Sequence, residues 1–252
     1  MSAFVVGAIA FVCVFGAALL GMVLRRRLPE HHLSADSKDV IKVAMATIAT
    51  LTALVLGLLV SSAKSSFDSK ESEFRDYSAQ VILLDRTLAA YGPETKEVRE
   101  LLRQVIATRL KQIWPEAETG VLMAIGEGAG TDAVQRKILD LSPQNDTQHW
   151  LKSAALQLTS NIATARWMLF EQTSSSLQWP FLVILVFWVT ALFVSFGLFA
   201  PVNGSVIAAL FLAALSVAGS IYLVLELDQP YSGLIKISSA PLQMALEQLS
   251  RQ

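Results

Sequence analysis

The sequence predicts an all-α polytopic membrane protein, with four transmembrane helices in two hairpins and a helical water-facing insertion between the hairpins. The first observation is composition: 53% of the 252 residues are hydrophobic and 16% are charged, with a mean hydropathy of +0.50. That balance lies outside the range of ordinary soluble domains. The second is the length of the uncharged stretches, because a helix needs roughly 20 apolar residues to cross the hydrocarbon core. The stretches free of Asp, Glu, Lys, Arg and His that reach this length are Ala3 to Leu24, Val43 to Ala63, Leu177 to Ala200 and Val202 to Leu225.

Short connections pair the four spans into two hairpins. The first span is expected to stay in the mature protein, because the arginines at 25–27 follow its apolar run, whereas a secretion signal carries basic residues before it. Pro201, Asn203 and Gly204 are turn formers suited to the second hairpin. The predicted division is a first hairpin at residues 1–63, a soluble insertion at 64–176, a second hairpin at 177–226, and a turn motif with an amphipathic C-terminal helix at 227–252.

The insertion begins with a predicted helix that continues the second span, since no strong breaker separates them. Its apolar side chains recur at steps of 7, 3, 4, 3, 4 and 3, a heptad seam that packs against another helix. The seam consists of Phe67, Phe74, Tyr77, Val81, Leu84, Leu88 and Tyr91. Gly92 and Pro93 end this helix, and a second helix beginning near Glu94 is expected to fold back on it. The apolar side of the second helix consists of Val98, Leu101, Leu102, Val105 and Ile113.

A last soluble helix is predicted to start near Asp146 and to run toward the third span. Its seam consists of Leu151, Ala155, Leu158, Ile162, Ala165 and Leu169. The serines at 174–176 and Pro180 are the expected bends before that span. The glycine-containing stretch 114–131 is a flexible connector, because it lacks the Gly-Lys-Ser/Thr ending of a phosphate loop between a strand and a helix.

A short amphipathic helix follows Pro241 at the C-terminal end. It is expected to dock on the insertion or on a neighbouring subunit. Its apolar side consists of Leu242, Ala245, Leu246 and Leu249.

Charges and motifs argue against several classes of protein. The 20 basic and 21 acidic residues nearly cancel, which disfavours a nucleic-acid partner. Cys13 is the single cysteine, so an intramolecular disulfide is excluded. His31 and His32 are adjacent and lie beside no cysteine, and no nucleophile–base pair is visible, so we expect no enzyme, no cofactor and no metal site. The spans contain no Asp, Glu, Lys, Arg or His side chain, which disfavours a proton-coupled pump.

The second span carries a face graded from hydroxyl to leucine. Thr50, Leu54 and Leu58 fall at i, i+4 and i+8 and therefore share one side of a helix. Such a face is suited to a pore with a hydrophobic constriction that gates by wetting. The alternative is that Thr and Ser are tolerated in membrane helices because they bond back to the backbone or to a neighbouring helix.

Small residues in the fourth span allow close helix approach, either at Ala214 and Ala218 or at Gly204 and Ala208.

The end of the fourth span carries two carboxylates, Glu226 and Asp228. Because the carbonyl end of a helix already carries partial negative charge, something should compensate both groups. The candidates are Lys236, backbone donors in the turn around Pro230 and Gly233, basic side chains of the insertion, or a bound cation.

Three motifs make the sequence resemble the bacterial family of unknown function described as bestrophin-like. They are Leu28-Pro29-Glu30-His31-His32-Leu33, Leu54-Val55-Leu56-Gly57 in the second span, and Glu226-Leu227-Asp228-Gln229-Pro230-Tyr231-Ser232-Gly233 with Pro241 and Leu242. The likeness covers nearly the whole chain, and the tail motif is its most specific part. Bestrophins proper are pentameric anion channels with a hairpin, a helical cytosolic insertion, a second hairpin and a helical tail. The resemblance therefore implies this fold, a homo-oligomer in a lipid bilayer, and small anions such as chloride as permeating species.

In bestrophins a Val-Leu-Gly step of the second span belongs to the pore neck. Here that step corresponds to Val55, Leu56 and Gly57, and the resemblance places neck-lining positions at Thr50, Leu54 and Leu58, the face that spacing also selects. The neck of bestrophins is rich in Phe and Ile, whereas this face consists of Thr and Leu, so pore width and ion preference are left open.

The turn after the fourth span departs from the bestrophin pattern of acid, Pro, Phe and Gly. Tyr231 replaces the Phe, Ser232 is an added residue, and Lys236 follows where animal members carry an acidic calcium-binding run. The resemblance therefore carries no calcium gating to this chain.

Two hypotheses follow for function. The first is an oligomeric ion channel of a bacterial inner membrane, selective for anions and lined by the second span. The second is a non-conducting membrane scaffold or sensor whose helical insertion binds a partner. Orientation also has two answers, because the arginines at 25–27 favour an insertion outside the cytoplasm, whereas the resemblance places it inside.

Overall fold

The fold was determined as a computed structural model that describes residues 2–27, 35–114, 129–171, 179–231 and 233–250. These residues form helices and turns with no strand, which confirms the predicted all-α class. The helices are α1 (Ala3–Arg25), α2 (Ala35–Tyr91), a 3-10 turn (Pro93–Thr95), α3 (Lys96–Ile113), α4 (Ala129–Leu139), α5 (Asp146–Glu171), α6 (Trp179–Phe199), α7 (Gly204–Leu227) and α8 (Ala240–Ser250).

Four described helices, α1, α2, α6 and α7, are long and apolar enough to cross a membrane. Their positions agree with the four predicted spans. The chain divides into two compact units: residues 1–67 with 175–228 form unit 1, and residues 68–174 with 229–252 form unit 2. Unit 1 therefore contains the apolar spans, and unit 2 contains the soluble helices and the tail. The finer domain boundaries predicted from the sequence stay predictions.

In unit 1, α1 packs along both α6 and α7. The centre of this contact consists of buried side chains from the three helices: Val14, Ala17, Ala18, Val189, Leu192, Phe193 and Ala214. The rings of Phe11 and Phe15 both meet Phe211 edge to face, at 5.4 and 5.5 Å between centroids. Edge-to-face geometry is favourable for aromatic pairs, so these rings hold α7 against α1 beyond simple apolar burial.

The backbones of α1 and α6 approach most closely at two glycines. A Cβ on Gly21 would overlap the carbonyl oxygen of Val194, and a Cβ on Gly197 would overlap the carbonyl oxygen of Ala18. Small residues allow membrane helices to gain backbone-to-backbone van der Waals contact. On α7, Ala214 is buried as the small-residue pattern predicts, whereas nothing lies within contact distance of a Cβ built on Gly204. The alternative pair that begins at Gly204 is therefore not the point of close approach.

Polar contacts end the helices of the second hairpin. The side-chain oxygen of Asn203 accepts a hydrogen bond from the backbone N–H of Val206 at 2.9 Å and so caps α7. The guanidinium of Arg25 donates to the carbonyl oxygen of Ala200, just after α6 ends. The predicted turn at residues 201–203 is confirmed, because these residues leave the helix between α6 and α7.

Helix α2 runs unbroken for 57 residues, from Ala35 to Tyr91. This confirms the prediction that the second span and the first soluble helix are one element. Within unit 2 the predicted heptad seam is buried from Phe74 to Tyr91. Gly92 ends the helix with a φ of 139°, a conformation that side chains disfavour.

Helix α3 folds back on α2 in unit 2, as predicted. The hydroxyl of Thr95 donates to the carbonyl oxygen of Leu88 at 2.6 Å and so holds the turn. The guanidinium of Arg99 then grips the buried carboxylate of Asp85 with two hydrogen bonds, of 2.8 and 3.1 Å. Hydrogen bonding to Asp85 raises the pKa of Arg99, so the guanidinium keeps its charge in this pair.

The sequence prediction for α5 is correct in position but wrong in part of its seam. The buried side chains are Leu151, Ala155, Thr159, Ile162 and Arg166, whereas Leu158 and Ala165 are only half-buried. Two polar residues thus lie at seam positions that an apolar pattern search passes over. Helix α4, which packs between α3 and α5, was not predicted.

The C-terminal helix α8 is amphipathic as predicted, with Leu242, Ala245 and Leu249 buried. It packs on α3, so the expected docking on the insertion is confirmed within unit 2. Of the flexible connector predicted at 114–131, residues 115–128 lie outside the described residues, whereas residues 129–131 begin α4, so the prediction is wrong there. The serines at 174–176 and the side chains of Ile113 and Leu169 also lie outside the described residues.

Candidate pore-lining face and the segment after the fourth span

The membrane part of α2 presents two different faces in unit 1. Its inner face packs on the other three spans through half-buried Met45, Ile48, Val55, Leu56 and Leu59. The opposite face carries Thr50, Leu54 and Leu58, which are exposed in a single chain. The side chains of Leu54 and Leu58 keep 59% and 62% of their accessible surface.

Exposure separates α2 from the neighbouring spans. Only 6% of its most apolar 18-residue stretch is buried in one chain, against 33% for α1 and 39% for α6. A lipid bilayer, a second copy or a water-filled pathway must therefore cover most of this helix.

The hydroxyl groups on the exposed face bond to their own helix. The Thr50 hydroxyl donates to the carbonyl oxygen of Ala46 at 2.9 Å, and the Thr47 hydroxyl donates to that of Val43 at 3.2 Å. This is the back-bonding that the alternative interpretation of the sequence expects. Each accepting carbonyl also receives a helical N–H bond, so a threonine hydroxyl can rotate toward another acceptor and leave the helix intact.

The three residues of the Val-Leu-Gly step do not share one environment. Val55 and Leu56 pack on a buried cluster of α1, α6 and α7, so they fix α2 to the rest of unit 1. Gly57 is exposed, and no atom lies within 4 Å of a Cβ built on it. Gly57 therefore belongs with the exposed face, where the missing side chain leaves space beside Leu54 and Leu58.

At the end of the fourth span, Glu226 is buried in unit 1 and Asp228 forms the C-cap of α7. The backbone N–H of Asp228 donates to the carbonyl oxygen of Val224 at 3.3 Å. Lys236, one of the proposed compensating groups, is exposed. Both carboxylates interact with other groups in the structure, and which group compensates their charge stays a prediction.

The rest of the tail motif forms a closed turn in unit 2. The backbone N–H of Ile237 donates to the carbonyl oxygen of Pro230 at 2.9 Å, which ties the two ends of the turn together. Gly233 lies within it at a φ of 90°, a left-handed conformation that explains the glycine.

Trp114, at the end of α3, holds this turn in place, and the sequence analysis did not identify it. Its indole N–H donates to the carbonyl oxygen of Ile237 at 3.2 Å. Its ring meets Tyr231 edge to face at 6.1 Å and contacts Phe74 at 5.1 Å. A large aromatic side chain with one polar group commonly finds a partner when it packs, and this signal was present in the sequence.

Tyr231 is the residue at which the tail motif departs from the bestrophin Phe. Burial raises the pKa of its hydroxyl to about 12, and the negative charge of Glu73 adds to the shift. The phenol therefore stays neutral at physiological pH and acts as a packing residue with a polar tip. The motif at 28–33 and Ser232 lie outside the described residues. In the described part of the chain, no group of three His, Cys, Asp or Glu side chains is arranged to hold a metal ion.

These features define a helical membrane protein built of two apolar hairpins, a helical insertion and a docked tail. A family model described as Bestrophin-like domain matches residues 12–242. The chain therefore belongs to the Bestrophin-like family, and it is an integral membrane protein.

Solved structures show the same fold at low sequence identity. A bacterial bestrophin homologue from Klebsiella pneumoniae superposes with a TM-score of 0.65 and 12% identity, over 94% of this chain and 96% of that one. A variant of the bacterial bestrophin homologue from Klebsiella pneumoniae superposes with a TM-score of 0.61 and 13% identity, over 97% of each chain. A search of curated proteins finds no match. The resemblance inferred from the three sequence motifs is thus confirmed.

Proposed function

We propose that this protein is an oligomeric ion channel, a pentamer by its resemblance to bestrophins, with an anion-selective pathway lined by α2. The observation that carries the proposal is the exposed face of Thr50, Leu54 and Leu58 on the span that a single chain covers least. Membership of the Bestrophin-like family supports a channel of the bestrophin type rather than an enzyme.

The chemistry of the face supports a narrow, gated pathway. Two leucines, one helical turn apart, give an apolar constriction that water leaves readily, so conduction depends on wetting. Thr50 lies one turn before Leu54 and supplies a hydroxyl where an ion meets the constriction. In a ring of subunits, each position contributes one side chain per subunit. The weak contact of one hydroxyl with an ion is therefore repeated around the pathway.

Two features of this face support anion selectivity: it has no carboxylate, and it has a hydroxyl that can donate a hydrogen bond. Residues 43–63 contain no carboxylate, so no fixed negative charge repels an anion there. A threonine hydroxyl can donate a hydrogen bond to a weakly hydrated anion. By the same resemblance, the insertion faces the cytoplasm, the membrane is a bacterial inner membrane, and chloride is the ion to test first.

The test is the reversal potential of the purified full chain in a planar bilayer under a potassium chloride gradient. A reversal near the chloride equilibrium potential supports the proposal, and one near the potassium potential refutes its selectivity. Leu54→Ala widens the constriction and should raise the conductance of open channels. The matched control is Leu212→Ala on α7, which removes an equally exposed leucine from another span and should leave conductance unchanged.

If well-folded protein of the same oligomer size carries no current, the channel proposal fails and the scaffold or sensor hypothesis takes its place. One observation favours that second candidate: unit 2 exposes the large apolar side chains of Leu83, Leu139 and Trp150 to water. Replacing Trp150 by Ser should then abolish capture of a specific partner, whereas it should leave the current of a channel unchanged.

A further inference from the structure

Two arginines are buried in unit 2, outside the face assigned to the pore. Arg109 on α3 keeps 8% of its accessible surface, and Arg166 on α5 keeps 6%. Both guanidinium groups act electrostatically on the side chain of Tyr77, which is buried on α2. Side chains of three helices thus place two positive charges in the neighbourhood of Tyr77. Because a guanidinium does not lose its proton in proteins, both charges persist after burial.

Arg166 is incompletely satisfied within the described part of the chain. Its guanidinium lies over the ring of Trp167 at 5.2 Å, which covers one face of the group. Its buried Nη1 has no hydrogen-bond partner there, and Arg166 forms no ion pair with a described carboxylate. A buried charge is costly unless it is paired and hydrogen-bonded.

Unit 2 also contains an arginine whose charge and hydrogen-bond donors both have partners, for comparison. Arg99 donates through two nitrogens to the carboxylate of Asp85, so its charge and its donors are both compensated. Arg166 has the same donor fork without an acceptor of that kind among the described residues. An arginine fork matches oxyanions, which accept two parallel N–H bonds.

We propose that Arg166, which shares the neighbourhood of Tyr77 with Arg109, binds a small inorganic anion inside the helical insertion. The ligand must be small because buried side chains, Tyr77 and Ile162 among them, limit the space in this seam. A tetrahedral oxyanion such as sulfate or phosphate suits the fork better than chloride does. The site lies in unit 2 and serves the fold of the insertion, so it stands whether or not the protein conducts ions.

The test is saturable stabilisation of the purified full chain by sulfate. The protein is held in detergent at constant ionic strength, with gluconate as the bulky counter-anion, and sulfate replaces it stepwise. At a hundredfold excess over the dissociation constant, the unfolding equilibrium constant should fall by about a hundredfold, and the melting temperature should stop rising once the site is full. Tryptophan emission should change at the same half-saturation, because Trp167 lies against the binding group.

Substitutions distinguish a site from a general salt effect. Arg166→Gln should lose the saturable response and should be at least as stable as the natural protein in gluconate, because it removes an uncompensated charge. Arg166→Lys keeps the charge but loses the fork, so it should need at least tenfold more sulfate, and it serves if the glutamine variant does not fold. Arg86→Gln is the matched control, since Arg86 is exposed on α2 of the same unit.

Two results would overturn the site. One is a sulfate response that is linear and identical in all four proteins, which is a general effect of a kosmotropic salt. The other is an equal loss of stability by Arg166→Gln with and without sulfate, which would mean that a protein carboxylate compensates Arg166. Neither result depends on current through the channel, so failure here is separate from failure of the proposed function.

Discussion

Replacing Gly197 by Ala should destabilise the membrane-spanning unit, although alanine is the better helix former. The added methyl group would overlap the carbonyl oxygen of Ala18 and would lie 3.0 Å from the backbone nitrogen of Met22. Both obstacles are backbone atoms of α1, so no side chain can rotate away. The helices must separate along their whole contact, or one of them must bend.

The magnitude follows from two destabilising contributions and one stabilising contribution. Overpacking a filled site costs about 3 kcal/mol, at the upper end of the usual range because backbone must move. Backbone contacts as close as these also carry weak Cα–H···O bonds worth about 0.5 kcal/mol each, which separation removes. Helix propensity returns about 1 kcal/mol when glycine becomes alanine. The expected net loss is therefore about 2 to 3 kcal/mol.

The assay compares the melting temperatures of single variants in the same detergent. The matched control is Gly16→Ala on α1, because nothing lies within 4 Å of a Cβ built on Gly16. That variant should gain up to about 1 kcal/mol. Gly197→Ala should melt roughly 4–16 °C below it, because the two variants differ by about 2 to 4 kcal/mol and each kcal/mol shifts the melting temperature by about 2–4 °C in chains of this size. Equal melting temperatures for the two variants would refute the close-contact argument.

Two further substitutions test unit 2. Asp85→Asn should cost about 2 to 3 kcal/mol of unfolding free energy, because it leaves the partly exposed Arg99 charge without its carboxylate. The control is Glu100→Gln, which breaks an exposed ion pair and should cause no measurable loss. Equal melting temperatures for the two variants would contradict the prediction. For Tyr231, the folded pKa of about 12 lies above the usual value of 10, so its stabilising contribution is complete below about pH 10 and is lost as the pH rises toward 12. At pH 11 the folded protein and Tyr231→Phe should therefore show nearly the same tyrosinate absorbance at 295 nm, and a clear excess in the natural protein would contradict the assignment.

The long apolar helices could be predicted from the sequence, because their pattern is visible without knowing which helix each one packs against. The heptad seam of α2 shows on the sequence where side chains face inward, and Gly92 with Pro93 shows where the helix ends. The exposed face of Thr50 and Leu54 was likewise a matter of spacing on one helix. Its role in a pore stays a prediction, because a single chain shows exposure and not what covers it.

The features that escaped prediction do not appear in a pattern of apolar residues. Arg166 and Thr159 occupy seam positions of α5 that a search for apolar residues passes over. The Thr159 hydroxyl donates to the carbonyl oxygen of Ala155 at 2.7 Å, so burial leaves its donor satisfied by its own helix. The contact of Gly21 with α6 is equally hidden, because only the partner backbone distinguishes it from Gly16, which nothing touches.

The two units fix helix register by different physical means. In water, burial of apolar seams supplies the attraction, but a seam that repeats every seven residues does not choose one register by itself. In unit 2 directional bonds make that choice for α5: the Gln148 amide donates to the Tyr91 carbonyl oxygen at 3.1 Å, and the Lys152 ammonium donates to the carbonyl oxygen of Leu139 at 2.7 Å. In lipid the apolar attraction is absent, so the helices of unit 1 gain most where their backbones touch. A register that brings Gly197 to the α1 backbone and Gly21 to the α6 backbone permits that contact, so sterics select the arrangement there.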